Sequence, residues 1–233
     1  MKLNRYIGVA AVPFVAAAGL MVTRSVAADP QTGDANRGAL IVANGTDYGV
    51  VACARCHAFD GAADGSGAFP KLSGLSTYYL AKELRDFASG ARADAIMSAI
   101  ARRMKPGDIE DVAQYYSTVH GTRTPPPPAE PELLELGTRL ATIGDEEKHI
   151  QACEDCHGAQ GRGLAPAIPP LGGQYAHYIA FQMHMWQKGY RKNDANQQMA
   201  NLALRLGPKE IEALGAYFER APDGDPATPR RQQ

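Results

Sequence analysis

Cys53-Ala54-Arg55-Cys56-His57 and Cys153-Glu154-Asp155-Cys156-His157 are two copies of one pentapeptide, and together they use all four cysteines of the 233-residue chain. C-x-x-C-H is the attachment signature of a c-type haem. On a helix, positions i, i+3 and i+4 share one face. Two thiols can therefore bond the edge of one porphyrin while the next residue sets an imidazole under its iron. Two copies imply two covalently bound haem c groups. Cys53, Cys56, Cys153 and Cys156 are the attachment points, and His57 and His157 the proximal iron ligands. C-x-x-C alone also suits a thioredoxin-like redox pair or half a zinc site. A redox pair needs neither the histidine nor a second copy, and zinc sites usually lack this fixed run.

The duplication extends well beyond the pentapeptides. Phe69-Pro70-Lys71-Leu72 corresponds to Ile168-Pro169-Pro170-Leu171, Tyr79 to Tyr178, Gly90 to Gly189, Ile109 to Ile211, and Tyr115-Tyr116 to Tyr217-Phe218. The offset drifts only from 99 to 102 across the set. A repeat of this length is too long for a solenoid and matches one small domain. Between the copies runs Thr124-Pro125-Pro126-Pro127-Pro128-Ala129-Glu130-Pro131. Consecutive prolines favour an extended, semi-rigid segment. The expected organisation is a domain over 29–120, a linker over 121–131, a second domain over 132–220, and a tail over 221–233. The tail is rich in Pro, Asp, Arg and Gln and is expected to be disordered.

Each copy reads as helical, with no strong strand alternation. In the first, helices are expected at 34–44, at the haem motif, at 76–89 (apolar Tyr79, Leu80, Leu84, Phe87) and at about 92–104. Pro106-Gly107-Asp108 breaks the chain, and Asp108 is the expected N-cap of a helix to about Ser117. The second copy repeats the pattern at 132–142, 153–157, 174–188, 194–205 and 208–220. Small helical domains have thin cores, so a haem would supply much of the buried apolar surface.

Residues 1–28 have the form of a secretory signal: basic Lys2 and Arg5, an apolar run to about Val22, then small residues at Ser25-Val26-Ala27-Ala28. An uncleaved anchor is the rival, but the run falls short of the ~20 residues of a spanning helix. The segment holds three basic residues (Lys2, Arg5, Arg24) and none of the 25 acids, so the remainder is acidic. That argues against nucleic acid as a partner.

Each iron needs a sixth ligand if it only transfers electrons, and a Met thioether gives a high potential with no open position. Beyond the signal segment lie Met97, Met104, Met183, Met185 and Met199; only Met97 and Met199 occupy matching places in the repeat. They are the expected axial partners, while Met104, Met183 and Met185 read as core filling. His120, His149, His177 and His184 would compete as ligands, but none has a counterpart in the other copy, and they read as surface or packing residues. His184 and Trp186 lie on the helix expected beside the second haem. Pro70 and Pro169 follow the motif histidines by 13 and 12 residues. Their carbonyls are candidate acceptors for the proximal imidazole N–H.

With these residues the chain resembles the cytochrome c4 family of dihaem electron carriers. The resemblance rests on both C-x-x-C-H motifs, the Phe69-Pro70-Lys71-Leu72 and Ile168-Pro169-Pro170-Leu171-Gly172-Gly173-Gln174 loops, and Arg191-Lys192-Asn193-Asp194. The methionines followed by Lys105-Pro106-Gly107-Asp108 and Gly207-Pro208-Lys209-Glu210 also match. It covers about 34–220. It implies an all-α fold of two tandem class I cytochrome c domains related by a pseudo-twofold axis, with haem propionates facing across the interface. It implies the ligand pairs His57 with Met97 and His157 with Met199. It also implies a periplasmic carrier, often membrane-associated, that passes single electrons from a quinol-oxidising complex or dehydrogenase to a terminal oxidase. Leu75 stands where the family commonly has Gln, although Gln174 keeps it in the second copy.

Three other readings share parts of this pattern. The cytochrome subunit of a flavocytochrome sulfide dehydrogenase would have the same fold with a permanent partner. A dihaem peroxidase would need an open iron position, which a Met in each copy argues against. A sensing protein would use haem as a staple and reduce slowly.

Overall fold

The computed structural model describes residues 33–224. The expected signal segment, 1–28, lies outside the described residues. Ten α-helices are found among those described: α1 (Ala35–Asn44), α2 (Ala54–His57), α3 (Thr77–Ser89), α4 (Met97–Ala101), α5 (Pro106–Thr118), α6 (Pro131–Thr142), α7 (Cys153–His157), α8 (Ala176–Gln187), α9 (Gln198–Ala203) and α10 (Pro208–Arg220). Helices α6–α10 repeat α1–α5 in order. Among the described residues extended pairing is confined to isolated bridges, so the fold is all-α.

Local chemistry sets the helix ends. The Asp34 carboxylate accepts from the N–H groups of Asn36 (2.8 Å) and Arg37 (3.3 Å), satisfying two free donors of α1. Ser76 Oγ accepts from Tyr79 N at 3.1 Å and starts α3. Proline occupies the first positions of α5, α6 and α10, where its missing N–H costs nothing. Asp108 is therefore not the N-cap the sequence led us to expect. It is the third residue of α5, and its carboxylate reaches back to the Lys105 N–H at 2.7 Å; Glu210 does the same for Gly207.

Each half has its own core. In the first, Val42, Leu80, Met104, Ile109, Val112 and Tyr116 pack together; in the second, Leu140, Ile179, Met183, Leu206, Leu214 and Phe218. Met104 and Met183 are thus core residues, as expected, whereas Met185 is half-buried and lies outside both cores. The first and last helices of each half cross at very short range because one glycine sits at each crossing. A side chain on Gly38 would begin 2.1 Å from the Asp111 carbonyl oxygen, and one on Gly137 would begin 2.2 Å from that of Ala213.

Two helices are shorter than their periodicity led us to expect. Residues 92–96 are outside α4 because Arg92 is drawn into an antiparallel bridge with Arg191. In the second half a 3₁₀ turn over 195–197 precedes α9, with Asn196 and Gln197 at positive φ. The tail also begins later than expected. Ala221 is buried and Asp223 pairs with Lys71 at 2.7 Å; 225–233 lie outside the described residues.

Gly38→Ala and Gly137→Ala are each expected to cost about 1–3 kcal/mol through forced separation of the crossing helices. Thermal unfolding of the full-length dihaem protein checks this: each midpoint should fall, the haem spectrum staying intact below the transition.

Candidate functional site

Helix α2 places Cys53, at its start, and Cys56 and His57 on one turn, and α7 does the same for Cys153, Cys156 and His157. The last helix of each half secures these turns. The Tyr116 hydroxyl of α5 donates to the Ala58 carbonyl at 3.0 Å, immediately after His57. In the second half the Tyr217 hydroxyl donates to Glu154 at 2.6 Å. Both α2 and α7 end in a backbone conformation at positive φ, Ala58 at 58° and Gly158 at 74°.

Both motif histidines are buried, at 7 % and 8 % exposure. The Nδ1 of His57 lies 3.2 Å from the Pro70 carbonyl and that of His157 lies 2.8 Å from the Pro169 carbonyl. Donation from Nδ1 leaves the Nε2 lone pair free. Burial lowers the pKa of both rings, although the carbonyl bonds act the other way. Both are held neutral, the form that binds metal. Burial also pushes the Cys53 thiol up to about 11 and the Cys153 thiol up to about 12. Such thiols are poor disulfide nucleophiles at neutral pH, unlike those of a redox pair.

Met97 begins α4 and Met199 lies at the start of α9, both half-buried. The same device sets both. Asp94 accepts from the Met97 N–H at 2.7 Å, and Asp194 accepts from the Met199 N–H at 2.8 Å. Among the other candidates, His120, His149 and His177 are exposed, and His184 is half-buried with its Nδ1 at 2.9 Å from Gln187.

A buried polar seam joins the halves just before these aspartates. Ala93 N–H donates to the Tyr190 carbonyl at 3.1 Å and Lys192 N–H to that of Ala91 at 3.0 Å. Equivalent residues thus meet each other, as an approximate twofold requires. The Glu83 carboxylate faces both guanidiniums, Arg92 at 2.5 Å and Arg191 at 3.2 Å, all three at most 8 % exposed. Arg92 also donates to Tyr178 (2.5 Å) and Gln182 (2.7 Å), while Arg191 donates to Gln182 (2.8 Å) and Tyr79 (3.2 Å). Asn193 donates to both Glu83 oxygens at 3.0 Å. Each guanidinium stacks on its own half's aromatic ring, Arg92 on Phe87 at 4.5 Å and Arg191 on Trp186 at 4.1 Å. Gln174 closes the seam further on, with its amide bonded to both the N–H (3.0 Å) and carbonyl (2.9 Å) of Lys71. The first copy's counterpart, Leu75, is core instead.

The chain is similar to dihaem cytochromes over most of its length. A cytochrome c4 from Thiocapsa roseopersicina is 35 % identical over 195 residues, spanning 83 % of this chain and 95 % of the relative. The chain belongs to the cytochrome c4 family. A thiosulfate dehydrogenase electron acceptor from Stutzerimonas stutzeri is 37 % identical over 177 residues, 75 % of this chain and 81 % of that one. The reduced cytochrome c4 structure from Pseudomonas stutzeri superposes with a TM-score of 0.72 at 32 % identity, covering 82 % of this chain and all of that one. The thiosulfate dehydrogenase (TsdBA) structure from Marichromatium purpuratum gives 0.75 at 35 % identity, covering 80 % of this chain but 40 % of that longer one. No family model matches the chain.

The protein is accordingly a dihaem c-type electron carrier rather than an enzyme, built from two tandem all-α cytochrome c domains. Its residues fit two covalent haems. The thiols and neutral imidazoles are grouped on one turn in each half. Two buried guanidiniums share a single carboxylate, and the buried Trp186 Nε1 has no acceptor among the described residues. The carboxylates that a haem carries supply such acceptors.

The seam was not foreseen from the sequence. Its signal was present as aligned polar pairs, Tyr79 with Tyr178, Glu83 with Gln182 and Arg92 with Arg191, each at the repeat's offset of 99. Burial raises the Glu83 pKa, but Arg191 and Arg92 more than offset this and leave it below the usual carboxylate value of 4.5. Its stabilising contribution is present above pH 4.5 and is lost as pH falls through the depressed folded value. Glu83→Gln, which copies Gln182, is expected to cost about 3 kcal/mol by leaving buried arginines unpaired. Acid titration of the unfolding midpoint checks it: the variant should be less stable at pH 7, and the gap should narrow in acid.

Proposed function

We propose that this protein is a periplasmic shuttle that takes single electrons from a thiosulfate-oxidising dehydrogenase and passes them on towards a terminal oxidase. Cys53 and Cys56 hold one haem, ligated by His57 and Met97. Cys153 and Cys156 hold the other, ligated by His157 and Met199. The two domains span 29–120 and 132–220 behind a signal peptide of 1–28.

The observation that carries the shuttle reading is the duplicated donor set. Each half pairs a carbonyl-anchored histidine with an aspartate-capped methionine helix, and one seam ties the halves together. When bound, haem c supplies a one-electron ferric–ferrous couple. The chain's own residues do the rest. Pro70 and Pro169 fix the ring plane of each proximal histidine and raise its basicity. Met97 and Met199 would supply thioether ligands to the irons, which favour a high potential. The seam ties the two halves together, so with both haems bound one molecule could hold both electrons of a two-electron oxidation. The donor's identity is supported by likeness to a thiosulfate dehydrogenase electron acceptor, and to a region making up two fifths of a thiosulfate dehydrogenase chain. Among the described residues no helix is long and apolar enough to cross a membrane.

Mixing the oxidised protein with a purified thiosulfate dehydrogenase and thiosulfate should reduce both haems, and omission of thiosulfate should leave them ferric. Reduction only by a quinol-oxidising complex would replace the donor and keep the shuttle. In a separate experiment, the dithionite-reduced wild type should not bind carbon monoxide. Met97→Ala and Met199→Ala should each open one haem to carbon monoxide and lower that haem's potential. Carbon monoxide binding by the wild type would remove a methionine from the ligand set.

A further inference from the structure

The two halves share a fold but present opposite charge around their attachment motifs. At the second variable position of C-x-x-C-H the first half has Arg55 and the second has Asp155, both exposed. The surface beside the first motif adds more positive charge. Lys105 Nζ lies 3.9 Å over the Tyr48 ring, on the loop that leads through half-exposed Val51 to Cys53. Arg103 reaches the same loop, its Cδ lying 3.9 Å from where a side chain on Gly49 would begin, and Arg102 beside it is exposed. The acids here are Asp47 and the half-buried Asp108. The Asp108 carboxylate is already occupied by the Tyr48 hydroxyl and the Lys105 N–H.

The second half is more acidic at the motif and its loop, although Arg205 matches Arg103 and Lys209 is also exposed. Its corresponding loop reads Asp145-Glu146-Glu147-Lys148-His149, with Glu146 and Glu147 exposed, and Gly207 stands where the first half has Lys105. Lys148 is paired with Glu210, and the Arg205 guanidinium is turned onto the His149 carbonyl.

We propose that the face around Cys53–Cys56 is the docking surface for a redox protein whose own cofactor is ringed by Asp and Glu. Cys53 and Cys56 are half-buried just beneath this face, so a haem attached through them would lie close to it and offer an electron a short path out. Carrier complexes are small and transient, so charges at the rim decide encounter rate and orientation more than they decide affinity. A partner with an acidic rim is drawn to the first half and repelled by the second. One chain thereby presents two faces that two partners can tell apart.

The test uses the full-length dihaem protein and flavodoxin hydroquinone, a reductant with an acidic surface, in stopped flow across ionic strength. The wild-type rate should fall as salt rises, since exposed charges are screened over about 8–10 Å at physiological salt. Arg55→Asp with Lys105→Glu should lower the low-salt rate about tenfold and flatten the salt dependence. Asp155→Arg with Glu146→Lys and Glu147→Lys should not slow it. Asp at position 55 copies what the chain already carries at 155, and Lys105→Glu alone provides a second, independent variant. A wild-type rate that rises with salt, or an Arg55 and Lys105 reversal that leaves the rate unchanged, would overturn the assignment. Flavodoxin is not the proposed physiological donor, so failure of the thiosulfate reading leaves this test unaffected.

Discussion

One buried carboxylate organises this molecule. Glu83 faces a guanidinium from each half, and charge this far from water is tolerable only when it is paired and hydrogen-bonded. To reach it, Arg92 and Arg191 must lie antiparallel and side by side, which forces the segments on either side of them out of helical conformation. Asp94 and Asp194 follow directly, and their carboxylates set the starts of the two short helices that carry Met97 and Met199. The geometry of the seam is thereby transmitted to the residues proposed as axial ligands.

The repeat preserves shape while changing chemistry. Gly38 and Gly137 allow the same close crossing, yet beside it the first half has a bidentate Arg37–Asp111 pair (2.7 and 2.9 Å) where the second has Leu136 and Ala213. Glu83 is matched by Gln182, Phe87 by Trp186 and Arg55 by Asp155. Each difference changes a charge or a hydrogen-bonding group between the two halves. Two sites with the same donor set thus stand in unlike surroundings, as suits a carrier that accepts from one partner and delivers to another.

The thiol and imidazole positions were legible because their chemistry depends on local geometry: one helical turn puts i, i+3 and i+4 on one face whatever surrounds it. The repeat extended that logic to the core and to the aligned methionines. The Pro70 and Pro169 carbonyls were within reach of the same reasoning because they lie in short loops close in sequence to their histidines. Helix ends were less legible. Periodicity could not show that Arg92 is pulled into a contact with a residue 99 positions away, nor that Asp108 acts from inside its helix.

By itself the sequence determined an all-α pair of similar halves, two covalent haems and the grouping of two cysteines and a histidine on one turn in each half, since each depends on spacing within one turn or on a repeat read along the chain. Only the tertiary structure decided that Arg92, Arg191, Glu83 and Gln182 form one buried cluster, that Trp186 holds a donor unmatched among the described residues, and that the tail starts with packed residues at Ala221 and Asp223. Those facts rest on contacts between distant segments and on exclusion of water. A charged residue carries no mark in the sequence to say whether it is buried; burial is set by what packs over it.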